Sequence, residues 1–211
     1  MKRLIFSRKR KEIVRSALFS KKYREGIQAL LSLPTKKDNE VPLTSLGILY
    51  DHLALTYSGS RRFLYEEKAR QCYHKALEKN AGCLPAYWGL GRIELLHNKR
   101  ISGLRYYKMA FNINPDLRKN RFAYAQALMS ARHYGQAKKL YLMDWKQYGQ
   151  SFHISYNLAV LEFIQDHLRN AKKYALIALR LLSHRPKYIR ESQGATAWRC
   201  ALEDIIKKSV E

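Results

Sequence analysis

Few residues in this chain have the type and spacing to do covalent chemistry. The seven histidines are His52, His74, His97, His133, His153, His167 and His184. No two of them stand four apart, the spacing that would set two imidazoles on one helix turn as metal ligands. Cys72, Cys83 and Cys200 form no C-x-x-C pair, so neither a zinc site nor a redox pair is expected, and an odd, dispersed set fits reduced thiols in a cytosol. The chain lacks H-E-x-x-H, G-x-S-x-G, the phosphate-cradling G-x-x-x-x-G-K and G-x-G-x-x-G. Asp166-His167 reads as a turn. Glu66-Glu67 with Lys68 and Arg70 reads as an exposed charged face in which Glu66 pairs with Arg70 one helix turn on. The expectation is a chain that is not an enzyme and holds no cofactor and no metal. What remains is recognition chemistry, in aromatic and cationic residues that recur at one spacing.

That spacing defines the elements. Gly91, Ala125 and Ala159 are separated by 34 residues, and so are Gly103, Ala137 and Ala171. Trp88, Phe122 and Tyr156 follow the same step, as do Leu90, Tyr124 and Leu158, and Tyr107 and Tyr141 stand one step apart. A fixed period of this size signals stacked helical hairpins. Leu84 to Pro115 reads as one such hairpin, turning at His97-Asn98-Lys99-Arg100, and within it Gly89 and Gly91 permit close helix approach.

The pattern Tyr87-x2-Leu90-Gly91-x2-Glu94, then Gly103-x3-Tyr107, Ala110 and Pro115, resembles the tetratricopeptide repeat (TPR) family. It departs from that family's motif in Tyr for Trp, Glu94 for Tyr and Gly103 for Ala. The size classes at the helix crossings are kept. The resemblance spans roughly residues 47 to 185 and implies an all-α fold, a right-handed α-solenoid of antiparallel helical hairpins with a C-terminal capping helix. The expected organisation is a degenerate N-terminal hairpin and loop over 1–42. A repeat array over 43–185 follows, with repeats at about 47–83, 84–117, 118–151 and 152–185, and then the cap over 186–211. Residues 1 to 8 should be frayed, Lys9 to Phe19 and Lys22 to Leu33 helical, and Thr35 to Pro42 an exposed loop. The first repeat holds Ala54 and Ala69 fifteen residues apart, against twelve for Gly91 and Gly103. It therefore carries a three-residue insertion at Ser58 to Arg62, a place suited to a contact loop. Ile189 to Lys208 should form one last helix with Trp198, Leu202, Ile205 and Ile206 on its covered face.

The resemblance also implies a concave groove lined by the first helix of each hairpin. The residues that fall there are Trp88, Arg92 and Leu95, then Lys119, Phe122, Gln126 and Met129, then His153, Tyr156, Val160 and Phe163. This aromatic and aliphatic face with a few cations suits a peptide or helix with apolar anchors. The same stripe could also pack between neighbouring first helices or beneath the last helix. Tyr156, near the end of the array, should be the most exposed of the aromatic series. Some TPR proteins hold acidic chain ends through a Lys, Asn and Arg clamp. The corresponding residues here are Asp51, Leu55, Gly89, Lys119 and Ala123, of which only Lys119 fits.

Composition bounds the partners. Of the 211 residues 46% are hydrophobic, enough for a packed core, and Lys and Arg number 40 against 17 Asp and Glu, a net charge of +23. Such an imbalance draws acidic proteins, RNA or an anionic surface. Leu4-Ile5-Phe6 is too short for a signal segment, and no run approaches the ~20 apolar residues of a membrane helix. The expected protein is cytoplasmic, a protein-binding adaptor or scaffold, with RNA or ribonucleoprotein binding through the positive surface as the alternative.

Overall fold

The computed structural model describes residues 2–33 and 43–209. The loop expected over Thr35 to Pro42 lies outside them. All regular structure among the described residues is helical, and helices adjacent in sequence pack in pairs, as in an α-solenoid. The chain divides into two compact units, Met1–Asn114 and Pro115–Glu211. The first holds α1 (Lys2–Ser20), α2 (Tyr23–Leu31), α3 (Leu43–Ala54), α4 (Gly59–Lys79), α5 (Leu84–Leu96) and α6 (Arg100–Ile113). The second holds α7 (Arg118–Ser130), α8 (Tyr134–Tyr148), α9 (Phe152–Ile164), α10 (Leu168–Ser183), the short α11 (Lys187–Arg190) and α12 (Gln193–Lys208).

The 34-residue step is written into the backbone as well as the side chains. Asn98, Arg132 and Asp166, one step apart, each adopt a left-handed conformation, with φ of 58°, 63° and 60°. After each, the next amide closes a six-residue ring onto the helix just ended: Lys99 N–H donates to Glu94 O (2.9 Å), His133 to Leu128 O (2.8 Å) and His167 to Glu162 O (2.8 Å). The left-handed residues themselves donate to Leu95, Met129 and Phe163. These paired bonds are the Schellman ending, which satisfies the orphaned carbonyls and reverses the chain within about four residues. Asn and Asp tolerate the left-handed region; Arg132 occupies it without that help. The turn before α4 is built differently, from Thr56 N–H to Leu53 O and Tyr57 N–H to Ala54 O. There the expected contact loop does not form. The inserted residues are wound into α4, which starts at Gly59 and runs for 21 residues against 14 in α6.

Small residues sit at every helix crossing examined by the repeat. Gly91 and Gly103 are buried, and Ala54, Ala69, Ala125, Ala137, Ala159 and Ala171 are each 0% exposed. A Cβ on Gly47 of α3 would meet the Tyr73 ring of α4 at 2.6 Å, and one on Gly89 of α5 would fall inside the same ring. A Cβ on Gly91 would meet Tyr107 at 2.8 Å, and one on Gly103 would meet Leu95 at 2.7 Å.

Carboxylates are buried between the helices, which the sequence reading did not foresee. Glu66 is not on an exposed face: it is 2% exposed, accepts from Arg62 Nε at 2.8 Å, and lies 2.6 Å from His97 Nε2. Burial raises its pKa, but the hydrogen bonds from Arg62 and His97 outweigh that and hold the carboxyl below its usual range. Arg70, expected to pair with Glu66, instead bridges from α4 to Glu94 on α5. In the second unit Lys138 of α8 reaches Glu162 of α9 at 2.7 Å, and His167 Nδ1 approaches the other oxygen at 2.9 Å. Arg70 and Lys138, like Glu94 and Glu162, are two periods apart. At the intervening period the sequence has Leu104 and Leu128.

The C-terminal segment is two helices rather than one. Glu191 and Ser192 interrupt it, and Ser192 Oγ caps α12 by accepting from Ala195 N–H at 3.2 Å. α12 lies against α9 and α10, with Ala195, Leu202 and Ile205 buried in one core with Phe152, Ala159, Ala175, Ala178 and Leu182. The outermost helix at the N-terminal side, α1, begins at Lys2 rather than Lys9.

The recurrence of an ionic pair at this register, where the intervening period of the sequence carries two leucines, is testable. Glu94→Leu alone strands Arg70 beside a partly buried apolar side chain and should cost about 2 kcal/mol. Arg70→Leu with Glu94→Leu, the combination the chain uses one period later, should recover at least half of that. Urea unfolding of the two single variants and the double variant measures the coupling, and a double variant no more stable than Glu94→Leu would contradict this reading.

Candidate binding surface

The first helices present the expected residues in three different environments. Lys119, Gln126 and His153 are exposed; Trp88, Arg92, Phe122, Tyr156 and Val160 are half-buried. Leu95, Met129 and Phe163, placed in the groove by the sequence reading, turn toward their own hairpins. Leu95 fills the space over Gly103 of α6, Tyr141 of α8 donates its hydroxyl to Met129 Sδ at 3.5 Å, and Phe163 joins the core beneath α12. The physical reason is helical spacing. These residues are three positions beyond Arg92, Gln126 and Val160, about 60° short of a full turn, which carries them off the groove face and toward the second helix.

In the first unit Arg92 of α5 is held across to α3 by Asp51, with Nε 2.8 Å from Oδ2. Burial lowers the Arg92 pKa, and Asp51 is itself only 4% exposed. Arg92 is therefore a fixed brace between first helices rather than a mobile arm. Asp51 was expected as a mismatched clamp position; it is the partner that positions this guanidinium. Trp88 lies one turn earlier on α5.

In the second unit the aromatic residues form a connected strip. Phe122 of α7 meets Tyr141 edge-on at 5.7 Å and His153 of α9 at 6.3 Å. His153 stands edge-on to Phe152 at 5.2 Å and to Trp198 of α12 at 5.6 Å. Trp198 also meets Phe152 at 5.0 Å and Tyr156 at 6.5 Å. Tyr156 is thus not an open end of the series, because Trp198 of the capping segment packs against it. Trp198 was expected only as a core residue of the cap. It reaches the strip because α12 crosses α9, a tertiary placement with no trace in local periodicity. Partial burial lowers the Lys119 ammonium pKa, and burial followed by the charge of Arg185 lowers that of His153. The strip is aromatic, rimmed by polar groups, and its imidazole is neutral at neutral pH. It can stack and accept hydrogen bonds, and no cluster of His, Cys, Asp and Glu suited to a metal occurs among the described residues.

The helix order, the paired hairpins and the 34-residue step define the fold of a tetratricopeptide-repeat protein. No protein-family model matches the chain, and no curated protein matches it in sequence. Solved structures do. MamA from Desulfovibrio magneticus RS-1, residues 41 to the end, superposes with a TM-score of 0.65 over 85% of this chain and 97% of that one, at 13% identity. A MamA RS-1 ArsTM double mutant gives 0.62 over 82% and 93%, at 14% identity. MamA AMB-1 gives 0.53 over 85% and 93%, at 12% identity. MamA is a TPR-repeat protein, and the likeness at these identities is one of fold.

The lowered pKa of His153 has a sign that can be checked. A folded value below the ordinary 6.5 means that stability is present above pH 6.5 and lost as pH falls through the folded value. NMR titration of His153 should give a midpoint below 6.5, and Arg185→Ala should move it up. A midpoint at or above 6.5 would contradict the aromatic setting described.

Proposed function

We propose that this chain is a non-enzymatic scaffold for protein–protein interaction, which receives a peptide or helix of its partner on the first helices of its hairpins. The observation that supports this most is the strip on α7, α9 and α12. There the exposed Lys119, Gln126 and His153 stand beside half-buried Phe122, Tyr156 and Trp198. Aromatic anchors with a polar rim are the composition of an interface centre. Trp88 and Arg92 extend the same chemistry on α5. The TPR fold adds weight, because that scaffold presents first helices to protein ligands. The partner that suits Lys119 and the net charge of +23 is acidic with apolar anchors.

A second reading, RNA or a ribonucleoprotein surface, is favoured by the charge alone. Crosslinking followed by affinity capture from native lysate, with and without nuclease, separates the two. Lys119→Ala with His153→Ala should leave the melting temperature nearly unchanged and weaken capture of protein partners about tenfold, whether or not nuclease is present. Capture abolished by nuclease would favour the RNA reading. Capture of every partner undiminished in the variant would remove the first helices from the proposal.

A further inference from the structure

The outward side of α8 and α10, in the second unit, has a different chemistry from the strip. The single acid of α8, Asp144, is 1% exposed and bound to Arg121 at 2.8 Å, and α10 contains no acid at all. Lys139 and Lys146 on α8 and Lys173 and Arg180 on α10 are all exposed. Lys139 and Lys173 are one 34-residue period apart, as are Lys146 and Arg180, so the two helices carry their cations in the same register. Along each helix the two cations are two turns apart, about 10.5 Å. The helices are neighbours: the rings of Trp145 and Tyr174 lie 5.3 Å apart, and Arg180 donates to Gln150 Oε1 at 3.1 Å. Among the cations stand three aliphatic side chains turned to solvent, Leu142 (37% exposed), Met143 (51%) and Leu176 (51%).

We infer that this face rests on an anionic membrane surface. The charge gives the sign of the partner: four cations with no exposed acid on either helix select a polyanion. The aliphatic residues decide which polyanion. A phosphate backbone such as RNA would neutralise the lysines but leave Leu142, Met143 and Leu176 against sugar and phosphate. An interfacial lipid layer takes both, cations among the headgroups and short apolar side chains at the acyl boundary. Three of the four cations are lysines, point charges suited to a mobile headgroup layer rather than to forked recognition of one fixed phosphate. The contact is peripheral, since among the described residues no helix is long and apolar enough to cross a membrane.

The test is co-sedimentation of the full chain with vesicles of phosphatidylcholine containing about a third phosphatidylserine, at about 0.1 M salt. Vesicles of phosphatidylcholine alone serve as reference. At about five-fold per cation, Lys139→Ser with Lys146→Ser and Lys173→Ser should lower the partition coefficient on the order of 100-fold. Removing the same number of charges elsewhere, by Arg199→Ser, Lys207→Ser and Lys208→Ser on α12, should lower it no more than a few-fold. Leu142→Ser with Leu176→Ser, which leaves the charge intact, should lower it about ten-fold, with helicity by circular dichroism matching the parent in all variants. Three results would overturn the inference: equal loss in the α12 variant, an unchanged partition in the α8 and α10 lysine variant, or no effect of the leucine pair. A leucine pair without effect, together with loss of a single-stranded RNA oligonucleotide in the lysine variant, would assign the face to nucleic acid. None of these substitutions touches the first helices, so failure here leaves the scaffold proposal standing.

Discussion

The first unit depends on one ring in a narrow slot. Tyr73 of α4 is 1% exposed and lies between Gly47 of α3 and Gly89 of α5, and neither position has room for a methyl group. Two first helices can therefore close onto the same second helix, which stacks one hairpin on the next rather than leaving isolated pairs. Burial raises the Tyr73 hydroxyl pKa well above its ordinary range, as expected of a phenol enclosed on all sides. The motif recurs with variation: Tyr107 lies over Gly91, and Tyr141 is buried opposite Phe122. At Tyr73 and Tyr107 a large side chain from the second helix is matched by a glycine on the first, the reciprocal packing that lets interiors reach crystal-like density.

The close approach has an electrostatic consequence. Helices this near leave little room for water, and yet Asp51, Glu66, Glu94, Asp144 and Glu162 are all buried. Asp51, Glu94, Asp144 and Glu162 are each held by a cation from another helix, and Glu66 by Arg62 of its own helix with His97 alongside, which meets the requirement that a buried charge be paired. Asp144 shows the balance: burial raises its pKa, and Arg121 and Arg118 oppose the rise. These bridges brace the helices that carry the proposed binding residues, Arg92 through Asp51 most directly. They also place at least five of the 17 acids inside.

Much of this was legible in the sequence, for a physical reason. A repeat fold copies the same contact at a fixed step, so Gly91, Ala125 and Ala159 announce their burial by size and spacing alone. The left-handed turns at 98, 132 and 166 follow the same step, yet their residues, Asn, Arg and Asp, share no type that would mark them. Glu66 and Arg70 were misread because one-turn spacing on a helix suggests a local pair, whereas Glu66 takes Arg62, one turn the other way, with His97, and Arg70 takes Glu94 of the next helix. Glu94 and Glu162, two periods apart, were the available signal, set in otherwise apolar stripes. The inserted residues at Ser58 to Arg62 were read as loop because serine and glycine start the segment; α4 absorbs them as about one more turn. Trp198 over Tyr156 had no signal, since the path of α12 across α9 depends on the break at Ser192 and not on any period.

The stacking of the first unit's hairpins rests on the slot around Tyr73, and one comparison probes it. Gly89→Ala adds a single methyl group inside the Tyr73 ring's space, whereas Gly135→Ala adds one on α8 with nothing within 4 Å. Urea unfolding followed by circular dichroism should show Gly89→Ala destabilised by about 1–3 kcal/mol and Gly135→Ala unchanged or stabilised by up to about 1 kcal/mol. Equal stability of the two variants would contradict the claim that this close approach holds the hairpins together.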